Sequence, residues 1–201
     1  MTTEILPRVD LVFRLAGRLV PLDHGHALLG ALGGVLGDLH DARWLAVHPI
    51  SGLPRPDGLL ALHARKSFLR LRVEPAHIPR ALGLAGKSMM IDGHPVHIGV
   101  SSVFALEPRR TLTSRLVTIK GFLEPEPFRD ALKRQMDALG VVGRAEVGRR
   151  RVMKVRGDVV VGFGVTLHEL DAEGSLRVQY EGFGGKHRMG AGVFVPVGRE
   201  Q

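Results

Sequence analysis

The chain contains no cysteine in 201 residues. That excludes disulfides and thiolate metal sites, and it fits a reducing compartment. Aromatic residues are scarce at 5%, with one Trp and one Tyr, which argues against a protein that reads single-stranded bases mainly by stacking. No apolar run approaches the roughly 20 residues that span a bilayer, and no charged-then-apolar leader opens the sequence. The expectation is a soluble, cytoplasmic protein with no membrane partner.

What the chain does have is a core and a positive charge. Hydrophobic residues make up 44%, an ordinary content for a globular protein, and the length suits one large domain or two of about 100 residues each. The formal net charge is +8, with a sequence pI near 10.7. Residues 1–100 hold 11 Lys and Arg against 8 Asp and Glu, and residues 101–201 hold 17 against 12. The excess leans toward the second half, as in a nucleic-acid binder whose cations gather on one side. Many basic proteins touch no nucleic acid, so charge alone does not decide. With so few aromatics, a reader of phosphate and shape in structured RNA fits better than a base stacker.

Order along the chain points to repeated α+β units. Residues 9–15 read as a strand, and Pro21 and Asp23 mark a turn and an N-cap. From His24 to His40 the residues Leu28, Leu29, Leu32, Val35, Leu36 and Leu39 follow helical spacing. Residues 44–50, 59–63 and 68–73 read as strands, 75–84 as a second helix, and 87–91 with 96–98 as a hairpin about Asp92-Gly93. Residues 102–106 add another strand. Strand, helix, two strands, helix and strand is the ferredoxin-like pattern. It starts again with a strand at 116–123 and a helix lined by Phe128, Leu132, Met136 and Leu139. Strands at 151–155 and 159–167 follow, joined at Gly157-Asp158, then strands at 176–180 and 193–197. No second helix is evident there. The expected fold is α+β with tandem ferredoxin-like (RRM-like) domains, 1–108 and 109–201, the second degenerate.

Near the C-terminus, Gly182-Phe183-Gly184 and Gly190-Ala191-Gly192 bracket five residues that include Lys186, His187 and Arg188. Glycine lets a backbone approach closely and take positive φ. Exposed N–H groups and side-chain cations between such glycines can converge on one phosphate. A nucleotide cradle would need a long helix afterwards, and only a short strand follows. A mobile hairpin loop is the plainer alternative.

Ten histidines and no cysteine raise the question of a metal. His24 and His26, or His94 and His97, match no compact zinc signature, and His-Glu-x-x-His is absent; no metal and no cofactor is expected. On an ideal helix His24 and His40 fall at opposite edges of the apolar stripe, where an imidazole can serve as general base or acid. The plainer readings are that His24 helps cap the helix and His40 complements its C-terminal dipole. Lys186, Arg188 and Lys120 are cations suited to an anion, and Tyr180 and Ser114 carry hydroxyls that can hydrogen-bond a ligand. Arg149, Arg150, Arg151, Lys154 and Arg156 form a basic run. In a strand it would put Arg150, Lys154 and Arg156 on one face, suited to duplex phosphates or to a charge-blunted sheet edge.

The Gly-h-Gly-x5-Gly-h-Gly spacing resembles the glycine-rich loop of the CRISPR-associated endoribonucleases that process repeat transcripts, the sixth Cas family. Residues 22–32, 114–121 and 161–165 resemble its myxobacterial-type branch, so the similarity runs from roughly residue 9 to 197. The resemblance implies the same tandem fold, with catalytic histidines in the first domain. It also implies RNA contacts in the second, from Lys120, the 149–156 cations, and Gly182, Gly184, Lys186, His187, Arg188, Gly190 and Gly192. It implies CRISPR repeat RNA in a stem-loop as partner, and metal-independent attack of a ribose 2′-OH leaving a 2′,3′-cyclic phosphate and a 5′-OH. His24 is the first choice for the proton-transferring group, His40 the second and His26 the third, since this branch tends to carry an aromatic at that place. Other Cas subunits of a surveillance complex are further partners that the resemblance implies. The alternatives are a guide-RNA-holding subunit that does not cut, and a basic regulator that binds a small anion in the glycine loop.

Overall fold

A computed structural model of the chain describes residues 6–198. They form two compact units, one of Arg8–Ala105 and the other running from Leu106 onward together with Leu6 and Pro7.

The first unit contains strands β1 (Val9–Gly17) and β2 (Leu19–Pro21), helix α1 (Gly25–Leu36), and strands β3 (Leu45–Val47), β4 (Leu53–Pro54), β5 (Leu59–Ala61) and β6 (Phe68–Val73). Helix α2 (Ile78–Leu82), preceded by a 3-10 turn, and strands β7 (Ser88–Ile91) and β8 (His94–Ala105) complete it. The main sheet has the order β3-β6-β1-β8-β7, all pairs antiparallel. Its first four strands have the ferredoxin-like arrangement, and β7 extends the edge. Strands β2, β5 and β4 form a separate small sheet. Leu28, Leu32 and Leu36 of α1 bury against Leu11, Phe13, Leu69 and Leu71 of the sheet. Each such side chain contributes about 1.5–3 kcal/mol on burial.

Several boundaries differ from the sequence expectation. The two strands expected at 96–98 and 102–106 are one 12-residue strand, β8, whose pairing with β1 shifts between Phe13 and Leu15. Helix α1 is capped by His24 rather than Asp23, and it stops at Gly37, which takes φ +80. A residue at that φ cannot continue a right-handed helix, and glycine takes it without strain. His40 therefore lies beyond the helix, not on its edge.

The second unit comprises β9 (Leu112–Val117), α3 (Pro125–Ala138), β10 (Arg144–Val155), β11 (Asp158–His168), α4 (Ala172–Glu181) and β12 (Val195–Pro196). Its antiparallel sheet has the order β10-β11-β9-β12, again ferredoxin-like. Residues 176–180, expected as a strand, belong to α4. Asp171 caps this helix by accepting a hydrogen bond from the Gly174 N–H at 2.6 Å. Its buried face includes the polar Ser175 and Gln179. Ser175 Oγ accepts the Arg109 N–H at 2.8 Å, and Gln179 Nε2 donates to the Glu107 carbonyl at 2.9 Å, so the entry to the unit is tied to the helix. The second unit thus has both helices, and its abbreviated element is the two-residue β12.

The β10–β11 turn is Arg156-Gly157, with φ +52 and +91, rather than Gly157-Asp158. Two positive φ values match the right-handed twist of the flanking strands. Among the described residues no helix is long and apolar enough to cross a membrane.

Candidate functional sites

In the first unit, His24 is the best-held histidine. The residue is 4% exposed; Nδ1 lies 2.9 Å from the Pro21 carbonyl and Nε2 accepts the Ile50 N–H at 2.8 Å. With Nε2 accepting, Nδ1 carries the hydrogen and donates to Pro21. The ring makes no side-chain cap bond to α1. It joins the turn before the helix to residue 50, and it has no lone pair left to offer a hydroxyl. His26 is half-buried, with Nδ1 enclosed and unpartnered.

His40 is exposed. Its own N–H donates to Asp38 Oδ1 at 2.7 Å, and the buried side chains of Leu39 and Ala42 anchor the loop on either side of it. Arg80 of α2, which sequence reasoning overlooked, grips the same loop. Nε and Nη2 donate to the Leu36 carbonyl at 3.1 and 2.8 Å, and Nη2 also donates to the Asp38 carbonyl at 3.1 Å. The Arg80 guanidinium carbon sits 5.3 Å from the centre of the Trp44 ring, which stacks on His77 at 4.5 Å and 4°. Helix α1 has no basic residue in its last turn. Arg80 supplies that cation from another helix, and the missing basic residue is the one sequence hint of it.

A second histidine centre lies across β1, β3 and β6. Asp10 and Arg72 are cross-strand neighbours joined by two hydrogen bonds, Nε to Oδ1 at 2.8 Å and Nη2 to Oδ2 at 3.1 Å. His48 Nε2 lies 3.6 Å from Asp10 Oδ1, beyond hydrogen-bond reach. All three are buried. Burial pushes the His48 ring down to about 4, although the Asp10 carboxylate opposes that shift. Burial would raise the Asp10 carboxyl, but Arg72 and then His48 outweigh it and hold it well below the usual carboxylate range.

In the second unit the glycine-rich loop is bonded inward. Gly185 forms an isolated bridge with Thr118, its N–H donating at 2.9 Å, and the Gly192 N–H donates to the Leu116 carbonyl at 2.7 Å. The N–H groups of Phe183, Met189, Gly190 and Ala191 donate to carbonyls of the loop itself, and that of Gly184 donates to Gln135 Oε1 at 2.8 Å. A Cβ on Gly182, Gly184 or Gly192 would stand 2.2–2.3 Å from a backbone oxygen, and all three have positive φ. The glycines serve close chain packing, and most of the N–H groups expected to face an anion are used within the protein. His187 is half-buried, with Nε2 3.3 Å from the Phe183 carbonyl. Lys186 is exposed at φ +68, and Arg188 is half-buried.

Gly190, at φ +86, ends the 3-10 turn of residues 187–189. Leu116 points away from the helices and forms a small cluster with Met153 and Ala191, joined by the half-buried Met189. The middle of the loop thus covers the helix-free face of the sheet. Lys120 is exposed two residues past Thr118, so Lys120 and Lys186 flank the Thr118–Gly185 bridge.

The cations of β10 are all exposed. Arg150 and Lys154 share a face with Val152, and Met153 and Val155 turn inward on the other. Arg156 lies in the turn and leaves the expected row. Ser114 is buried, its hydroxyl donating to the Leu116 carbonyl at 3.2 Å, and Tyr180 is half-buried on α4. Among the described residues no group of three or more His, Asp or Glu side chains is placed to hold a metal ion.

Two βαββαβ units in one chain, the second carrying a clamped glycine loop with exposed cations, define a tandem ferredoxin-like protein. A family model described as Cas6 Crispr matches residues 9–199. The chain belongs to the Cas6 family. It is 40% identical over 191 residues to the CRISPR-associated endonuclease Cas6 of Myxococcus xanthus (strain DK1622), covering 95% of this chain and 82% of that protein. The solved structure of a CRISPR associated protein Cas6 has a TM-score of 0.69 at 15% identity, covering 95% of this chain and 99% of its own. A RAMP protein binding different RNA substrates has a TM-score of 0.59 at 15% identity, covering 94% and 98%. At these identities the structural likeness speaks for the fold.

Proposed function

We propose that this protein is an endoribonuclease that binds CRISPR repeat RNA as a stem-loop and cuts once within each repeat. The family relationship, with a relative named as an endonuclease, supplies the class of reaction. The observation that carries the assignment within this chain is His40, an exposed imidazole on a loop fixed from both sides. His24, whose ring nitrogens are both engaged, is a structural residue in this reading, and His26 is secondary.

In the reaction the 2′-oxygen forms a bond to the adjacent phosphorus as the bond to the 5′-oxygen breaks. The 2′-OH proton leaves to a base and the departing 5′-oxygen gains one, so the products are a 2′,3′-cyclic phosphate and a 5′-OH. No redox change occurs and no metal is required. His40 handles one of these protons. Lys120 and Lys186, on the second unit, are assigned to RNA phosphates. Arg149, Arg150, Arg151 and Lys154 hold duplex phosphates. The loop glycines let the chain pack so that Lys186 is presented to solvent with the half-buried His187 and Arg188 beside it, and the protein stays with its product among other Cas subunits.

The test is cleavage of a labelled cognate repeat in excess EDTA, beside RNAs carrying a single 2′-deoxy substitution at each candidate position. Cutting in EDTA that one substitution abolishes is the expected result. Tight binding without cutting would replace this reading with that of an RNA-holding subunit.

A further inference from the structure

We infer that Arg80 is a positioning residue for the reaction, fixing the loop that presents His40; the inference rests on the assignment of His40 to proton transfer. Helix α1 ends at Leu36, and its last carbonyls have no partners within the helix. Arg80 Nε and Nη2 both bind the Leu36 carbonyl. The second hydrogen of Nη2 is directed to the Asp38 carbonyl, so one guanidinium spans the glycine at which the chain leaves the helix. Gly37 sits between these two carbonyls at φ +80. The Asp38 carboxylate in turn accepts the His40 N–H. A continuous set of bonds therefore runs from α2 through Asp38 to the backbone of His40.

The guanidinium is itself held by geometry. It lies over Trp44, and Trp44 is buried and stacked on His77. Its planar fork reaches two carbonyls on one side and an aromatic ring on the other, which a lysine ammonium cannot match. Arg80 touches neither ring nitrogen of His40. Its effect is on where the imidazole stands. Displacing a reacting group by about 1 Å costs up to about 100-fold in rate.

The experiment compares wild type with Arg80→Ala, Arg80→Lys, His40→Ala and the double variant Arg80→Ala/His40→Ala. Two quantities are measured: the single-turnover cleavage rate and the Kd for a non-cleavable 2′-deoxy repeat. Arg80→Ala is expected to cut about 10- to 100-fold more slowly, with Kd within about twofold of wild type. Arg80→Lys should recover part of the rate, and the double variant should cut no more slowly than His40→Ala alone. A wild-type rate in Arg80→Ala overturns the inference, and so does a further loss in the double variant. So does a weakened Kd at unchanged bound-state rate, which makes Arg80 a phosphate contact. If His40→Ala alone cuts at the wild-type rate, the assignment of His40 has failed, and that outcome is separate from all the others.

Discussion

At the start of α1, His24 is sealed between the Pro21 carbonyl and the Ile50 N–H, whereas past the end of the same helix His40 stands in solvent between two buried anchors. One residue type thus meets two environments within 17 positions, and the difference lies in what surrounds each ring. A histidine that satisfies buried backbone groups is held by them and cannot exchange a proton with a ligand without leaving them exposed. A histidine whose backbone alone is fixed keeps its ring available. The contrast separates a residue that the fold needs from one that chemistry can use.

The sharpest way to break this comparison is to remove each ring in turn. His40→Ala should lower single-turnover cleavage by about 100- to 10,000-fold and leave unfolding stability within about 0.5 kcal/mol. His24→Ala should do the reverse. It strands a buried N–H and a buried carbonyl, at about 1–3 kcal/mol each, and denaturant unfolding will register that loss while the folded variant still cuts. A stable, inactive His24→Ala would overturn the assignment.

His48 extends the comparison to a third histidine, one that burial keeps neutral. Its folded value of about 4 lies below the ordinary 6.5. As pH falls through 6.5 the unfolded chain takes up a proton that the folded chain refuses until about pH 4. Stability is therefore complete above pH 6.5 and is lost on acidification across that window, by about 3 kcal/mol at roughly 1.4 kcal/mol per unit. Asp10 works in the same direction at lower pH, because its carboxylate is stabilised in the folded state and its contribution goes as acid protonates it. Urea melts from pH 7.5 to 4, with and without His48→Gln, measure the step. A flat wild-type profile contradicts it.

The smallest effect tests the exposed cations. Lys154→Ala should weaken repeat-RNA binding and reduce the magnitude of the log Kd against log salt slope by about 1. An unchanged slope would leave that face of β10 as a charged strand surface alone.

Much of this was legible from residue order. The spacing of Phe128, Leu132 and Met136 gave α3, Asp92-Gly93 gave the β7–β8 turn, and the bracketed glycines marked the loop. Helix α4 escaped because Leu176, Val178 and Tyr180 alternate like a strand, while part of its buried face is the polar pair Ser175 and Gln179. Their burial follows from bonds to residues 109 and 107, about 70 positions away, which no local pattern contains. The same limit hid the state of His24, decided by Ile50. Gly37 was visible, but it read as one weak point in a longer helix and not as its end. The resemblance placed the chain in its family and put His24 first among the histidines, but which ring the fold encloses is not written in residue order.

The inward bonding of the glycine loop bears on how that surface meets a ligand. Glycine-rich segments usually sample many conformers and must be ordered on contact, an entropic cost that subtracts from affinity. Here the amides of Phe183, Gly184, Gly185 and Gly192 are already committed to the protein. Their hydrogens should exchange with solvent at rates nearer those of the sheet than those of a free loop. A molecule lying across Lys186 and Arg188 would meet a surface whose backbone disorder was removed when the chain folded.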